Sequence, residues 1–173
     1  CKAQSKSDLK KIIFIALFAL IANVTRAHYP EIVKVRSGFI YAVDHKDSRE
    51  AYALMLEGLE NNMHSKAYLG AAKTLVAECV MMPWAKYSYF KDGSRLIEEA
   101  IKENPLNAEY RYLRFLIQFN APSFLDYYSN LGEDYRAVTS AIKSNQSKEV
   151  WMEYFIQFEK LNKEKIEAIL EIS

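Results

Sequence analysis

The sequence predicts an all-α protein built from antiparallel helix hairpins, about six or seven helices in all. Three observations carry this. Apolar side chains recur at three- and four-residue intervals along most of the chain, the period of one helix face. The 173 residues include only 5 Gly and 4 Pro, too few for the many tight turns of an all-β domain. The stretches between periodic segments are a few residues long, which makes consecutive helices antiparallel neighbours.

The elements follow in order. Glu31 to Val43 reads as a first helix, with Ile32, Val35, Phe39 and Val43 along one side. Asp44 to Asp47 breaks it. Ser48 is placed to cap "REAYALMLEGLE", whose expected buried face is Ala51, Leu54, Met55 and Leu59. Asn61-Asn62 ends this helix, and Ser65 is the expected cap of the third, "KAYLGAAKTLVAECVMM". There Ala67, Gly70, Ala71 and Ala77 are small enough to let another helix approach closely. Pro83 either stops this helix or opens the next as a first-turn proline. A fourth helix runs from Trp84 or Tyr87 to Glu103. It ends at Asn104-Pro105, because the residue before a proline disfavours the α conformation. Asn107 caps a fifth helix over 108–120. "NAPSFLDYYSNLG" is an aromatic connector with room for one helical turn. The sixth helix covers Glu133 to Ser144. The seventh starts after Ser147 and reaches Leu170, with a break near Asn162.

The fifth helix is unusual. Tyr110, Leu113, Ile117 and Ala121 share one arc, and Tyr112, Phe115, Leu116 and Phe119 cover most of the other side. A helix apolar all round belongs in the middle of a core. Yet Arg111, Arg114 and Gln118 stand in a polar stripe at i, i+3, i+7. A buried guanidinium needs an acceptor, and Asp126, Glu133, Asp134 or helix C-terminal carbonyls are the candidates. Two readings follow. The stripe is part of an ion-pair network that staples helix five to the connector and helix six, or it is a basic spot in an open groove. Tyr87, Tyr89 and Phe90 in "WAKYSYFKDG" either line such a groove or pack into the core on two sides.

"LKKIIFIALFALIANVTRAHYP" has the three-part pattern of a secretory signal peptide. Lys10 and Lys11 form the basic region, Ile12 to Ala22 the apolar region, and Thr25-Arg26-Ala27 a small-residue cleavage site before His28. The expected start is Leu9, through an alternative initiation codon. The expected division is therefore 1–27, upstream residues and signal peptide, and 28–173, a single helical domain. The apolar run is short of the roughly 20 residues that span a bilayer. The domain is expected to meet the membrane through this segment alone, and to reside in the periplasm or cell envelope of a Gram-negative bacterium.

Beyond residue 27 the chain carries 18 basic and 21 acidic side chains, a net charge of −3. That balance argues against a nucleic-acid partner. One cysteine remains, Cys79 in the apolar run "LVAECVMM", and its expected state is a buried inert thiol. His28, His45 and His64 form no short metal-ligand spacing. No GxSxG, GxGxxG, P-loop or CxxC is present, and Glu98-Glu99 is expected on a solvated face. No catalytic residue, metal ligand or cofactor site is therefore assigned.

"GSRLIEEAIKENPLN" resembles the second helix of a tetratricopeptide repeat, with Gly93, Ile97, Ala100 and Pro105 at that family's usual spacing. "AYLGAA", Ala67 to Ala72, is similar to its first-helix signature through Leu69-Gly70, with Met81–Tyr89 as an insertion lengthening the hairpin. The block from "YLGAAKTLVAE" to "NAPSFL" also resembles a group of exported helical proteins of Bacteroidetes that has no assigned activity. The resemblance implies a right-handed α-α superhelix. It also implies a concave surface that holds a protein or peptide partner, with basic spots gripping a peptide carboxylate. The expected function is a protein–protein interaction or scaffolding module. A small periplasmic enzyme is the alternative, because a site assembled across helices leaves no local motif.

Overall fold

The computed structural model describes residues 31–59, 62–144 and 149–171, and these are helical with no strand among them. The expected leader, 1–27, lies outside the described residues. The chain divides into two units, Cys1–Lys34 and Val35–Ser173. Of the first, residues 31–34 are described, and they are helical. The second opens on helix α1, 35–44. It continues through α2 (Arg49–Glu57), α3 (Met63–Ala77), α4 (Pro83–Glu103), α5 (Ala108–Asn120), α6 (Leu131–Ser144), α7 (Val150–Leu161) and α8 (Lys163–Leu170). Short 3-10 turns, Lys46–Ser48 and Ser123–Leu125, precede α2 and α6.

Local chemistry sets these boundaries. The Asn107 side chain accepts from the backbone N–H of Glu109 and Tyr110 at 2.9 and 3.2 Å, satisfying two donors that the first turn leaves unpaired. Pro83 takes the first-turn position of α4, where its missing N–H costs nothing. Asn162 separates α7 from α8. Two expected caps are corrected. The cap of α3 is Asn62, whose side chain accepts from Ser65 N at 2.8 Å, so Ser65 lies inside the helix. Ser48 has helical backbone and caps nothing. Its hydroxyl donates back to His45 O at 2.7 Å, closing the 3-10 turn that leads into α2. Helix α6 begins two residues earlier than expected, which puts Glu133 and Asp134 in its first turn, where carboxylates suit the helix dipole.

The buried face of α2 is also corrected. Its fully buried positions are Arg49, Tyr52, Ala53 and Leu56; the expected Met55 and Leu59 pack half-buried against the core, while Ala51 is exposed and Leu54 is 70% exposed. The Tyr52 hydroxyl donates to Val35 O at 2.7 Å. Its ring lies where a Cβ on Gly38 would come within 2.7 Å of it. The tyrosine therefore turns α2 onto α1.

Helices α3 and α4 cross at Gly70 and Gly93. A Cβ on Gly70 would stand 2.7 Å from Gly93 O, and one on Gly93 would stand 2.5 Å from Gly70 O. Lys66 pairs with Glu99 at 2.6 Å, and Thr74 packs on Gly93. Partners advance along one helix as they recede along the other, so the pair is antiparallel. Helices α5 and α7 run in parallel, because successive rings meet in step: Tyr112 on Trp151, Phe115 on Phe155 and Phe119 on Phe158, with centroids 5.5, 5.6 and 5.1 Å apart. Helix α3 packs beside α5, and Phe39 of α1 meets Tyr68 of α3 edge-on at 5.5 Å. Thus α1, α3, α5 and α7 form a row. Helix α5 sits within it, buried at every position from Glu109 to Phe119 except Arg111.

Candidate functional site

The N-terminal ends of the row meet at a carboxylate. Glu109, at the start of α5, receives both Nε and Nη2 of Arg36 at 2.6 Å and the Tyr68 hydroxyl at 2.7 Å. Arg36 also pairs with Glu149, just before α7, at 2.5 Å. His64 Nε2 lies 3.8 Å from Glu109. Burial acts to lower the Arg36 pKa, but Glu109 and then Glu149 outweigh it and hold it above its ordinary value. Burial, reinforced by the Glu109 charge, pushes the Tyr68 phenol well up. The carboxylate's acceptor sites are spent on joining α1, α3 and α5, an arrangement that holds the scaffold together.

The arginine stripe faces α4 and α6. Arg114 gives Nε and Nη2 to the fully buried Asp134 at 2.6 and 2.8 Å, and Nη1 to Glu98 at 2.7 Å. Arg111 reaches Glu133 at 2.8 Å, Asp134 at 3.0 Å and Pro105 O at 2.9 Å. Burial works against the Arg114 charge, and Asp134 and Glu98 overcome it. Arg111 pulls the Glu133 carboxyl below its usual range. Among the described residues no arginine reaches Asp126, which has left-handed backbone (φ 50) and hydrogen-bonds Tyr128 instead. The acceptor that sequence reasoning missed is Glu98. Its side chain is 43% exposed, as a solvated face requires, and it also accepts from both Arg114 and the Tyr127 hydroxyl. Gln118 is buried, and neither atom of its amide is hydrogen-bonded among the described residues. The guanidinium groups of the stripe are thus turned into the fold and paired there.

The C-terminal ends of the row frame a different feature, an apolar cleft of about 560 Å³. Phe39 and Val43 come to it from α1, Leu75 from α3, Ile117 and Asn120 from α5, and Tyr154 and Phe158 from α7. The first turns of α4 supply Lys86, Tyr87 and Phe90, and the turn before α6 supplies Phe124. Tyr87 is therefore a lining residue. Tyr89 is half-buried against the core and does not line the cleft.

Arg49 also lines the cleft. Its guanidinium donates to Ala42 O, Val43 O and Leu75 O at 2.9, 3.0 and 3.2 Å and to Glu78 at 2.7 Å. A cation there satisfies the orphan carbonyls where α1 and α3 end. Cys79 stands beside it in the α3–α4 turn, half-exposed and past the end of α3. The expected burial of this thiol is thereby corrected, because α3 stops at Ala77. Among the described residues no group of His, Cys, Asp or Glu is arranged to hold a metal ion, and no helix is long and apolar enough to cross a membrane.

No protein-family model, curated protein or solved structure matches this chain. The cleft, not the arginine stripe, is the feature with open binding chemistry. Its volume lies within the roughly 300–1,000 Å³ of typical ligand sites, and its lining is apolar and aromatic with a few polar groups, as in such sites.

Proposed function

We propose that the chain is an exported, tetratricopeptide-like interaction module of the Gram-negative envelope, and that its cleft seats an apolar segment of a protein partner. The observation that carries this is the cleft itself, an aromatic concavity at one end of a row of helices. Consecutive helices α1 to α8 read as four hairpins, with the odd-numbered members side by side. This supports stacking as a right-handed α-α superhelix, whose inner helices offer a concave surface. The arginine stripe has no part in the proposed site, because Asp134, Glu133 and Glu98 already occupy it.

Site-specific photo-crosslinking tests the proposal. A photoreactive residue in place of Tyr87 should trap a discrete protein adduct in the native host. Filling the cleft with Asn120→Trp should abolish the adduct, and the same probe at Glu164 on α8 should trap none. Equal yields at the two sites, unchanged by Asn120→Trp, would overturn it.

A further inference from the structure

The α3–α4 turn and the start of α4 expose large apolar side chains together. Met81 is 86% exposed and Trp84 71%, while Met82 and Tyr87 are half-exposed. Phe124, 82% exposed, shares the cleft rim with Tyr87. Residues 79–91, "CVMMPWAKYSYFK", contain two lysines and no acidic residue, in a chain whose charges otherwise nearly balance. Lys86 and Lys91 are both exposed. Among the described residues neither takes part in an ion pair. Of the acids that flank this stretch, Glu78 is paired with Arg49 and Asp92 is exposed after Lys91, which leaves the tip itself, from Cys79 to Lys86, with an unpaired lysine and no acid.

We propose that this tip is a membrane-surface contact, with Met81, Met82 and Trp84 entering the headgroup–acyl boundary of an anionic bilayer and Lys86 and Lys91 meeting its phosphates. Tryptophan and tyrosine favour that boundary, because their rings are apolar and their N–H and O–H remain hydrated. Cations beside them add attraction to anionic lipid. Charge complementarity decides for lipid over an apolar protein groove. An apolar groove would leave two lysines to be desolvated without partners, whereas a phosphate surface receives both. The sequence expectation confined membrane contact to the signal segment. This is a second contact, made by the folded domain beside the cleft, whose lining includes Lys86 and Tyr87.

The two tryptophans make the test position-specific, since Trp84 is exposed and Trp151 is 4% exposed. The full chain is mixed with vesicles of phosphatidylcholine and phosphatidylglycerol, with and without acyl-brominated lipid. Trp84 emission should shift to the blue and be quenched by the brominated lipid. Trp84→Phe, at an exposed position, should remove that signal while leaving the Trp151 emission. The pair Lys86→Glu/Lys91→Glu should raise the anionic-vesicle concentration needed for the Trp84 signal by about tenfold or more, and wild type should need a similar rise with vesicles of pure phosphatidylcholine. Unquenched, unshifted Trp84 emission would overturn the proposal, whether the chain fails to sediment with the anionic vesicles or sediments with them while held elsewhere.

Discussion

Replacing Asp134 by alanine should destabilise the domain severely. The carboxylate is fully buried and receives three arginine N–H groups, at 2.6, 2.8 and 3.0 Å. Its removal leaves the buried Arg114 with Glu98 alone, which sits at the solvent edge. Stranding one member of a buried ion pair costs about 3–5 kcal/mol. Glu98 remains, so the lower part of that range, about 3 kcal/mol, is expected. With a urea m-value of about 2 kcal/mol/M, the unfolding midpoint should fall by about 1.5 M. The double variant Arg114→Met/Asp134→Leu removes both charges and refills the space. It should unfold nearer to wild type than Asp134→Ala does, although it carries two changes. Urea unfolding followed by far-UV circular dichroism measures all three proteins. The reasoning fails if Asp134→Ala moves the midpoint by less than about 0.5 M, a loss near 1 kcal/mol that fits an exposed pair, or if the double variant is the least stable.

Three further outcomes are expected. Gly93→Ala should cost about 1–3 kcal/mol, since its Cβ would stand 2.5 Å from the backbone oxygen of Gly70 and the two helices would have to part; thermal unfolding measures this. Asn107→Ala should cost about 1 kcal/mol by freeing two N–H groups at the start of α5, whereas Ser48→Ala, which removes no cap, should cost less in the same assay. Burial above all raises the pKa of Tyr52, Tyr68, Tyr112 and Tyr127. The folded state therefore holds these protons more tightly than the unfolded one, so their contribution is complete below about pH 10 and is lost as pH rises beyond it. Absorbance at 295 nm should show four of the 12 tyrosines ionising together with loss of the helical signal, and not before it.

The helical character and several boundaries were legible because they rest on local chemistry. Asn107, Pro83 and Asn162 act on backbone groups within a turn of themselves, and the all-round apolarity of α5 announced a central helix. The face of α2 was legible only in part, through Met55 and Leu59. The acceptors of Arg49 are carbonyls at the ends of α1 and α3, which no side chain marks, so nothing in the sequence put this arginine on the buried face. Glu98 misled for a related reason. Beside Glu99 it looks like one of a surface pair, and only the fold brings Tyr127 and Arg114 to it. Of the cleft, only Tyr87 and Phe90 were legible, as candidate groove residues of one aromatic segment, because the rest of the lining is spread between Phe39 and Phe158.

In the proposed stack of hairpins, each would answer mainly to its immediate neighbours and melt piecemeal. Here three arginines work against that independence. Arg49 belongs to α2 yet holds the ends of both α1 and α3. Arg36 ties α1 to α5 across the intervening hairpin, and Arg114 joins α5 to α4 and α6. Opening any of the first three hairpins would break at least one of these ties, leaving Arg49, Arg114 or the buried Glu109 short of a partner. The array should therefore open as one cooperative unit, and amides of α1, α3, α5 and α6 should exchange with a common free energy in native-state hydrogen exchange. Such a body can present its cleft as a rigid edge, with little ordering left to be done when something docks.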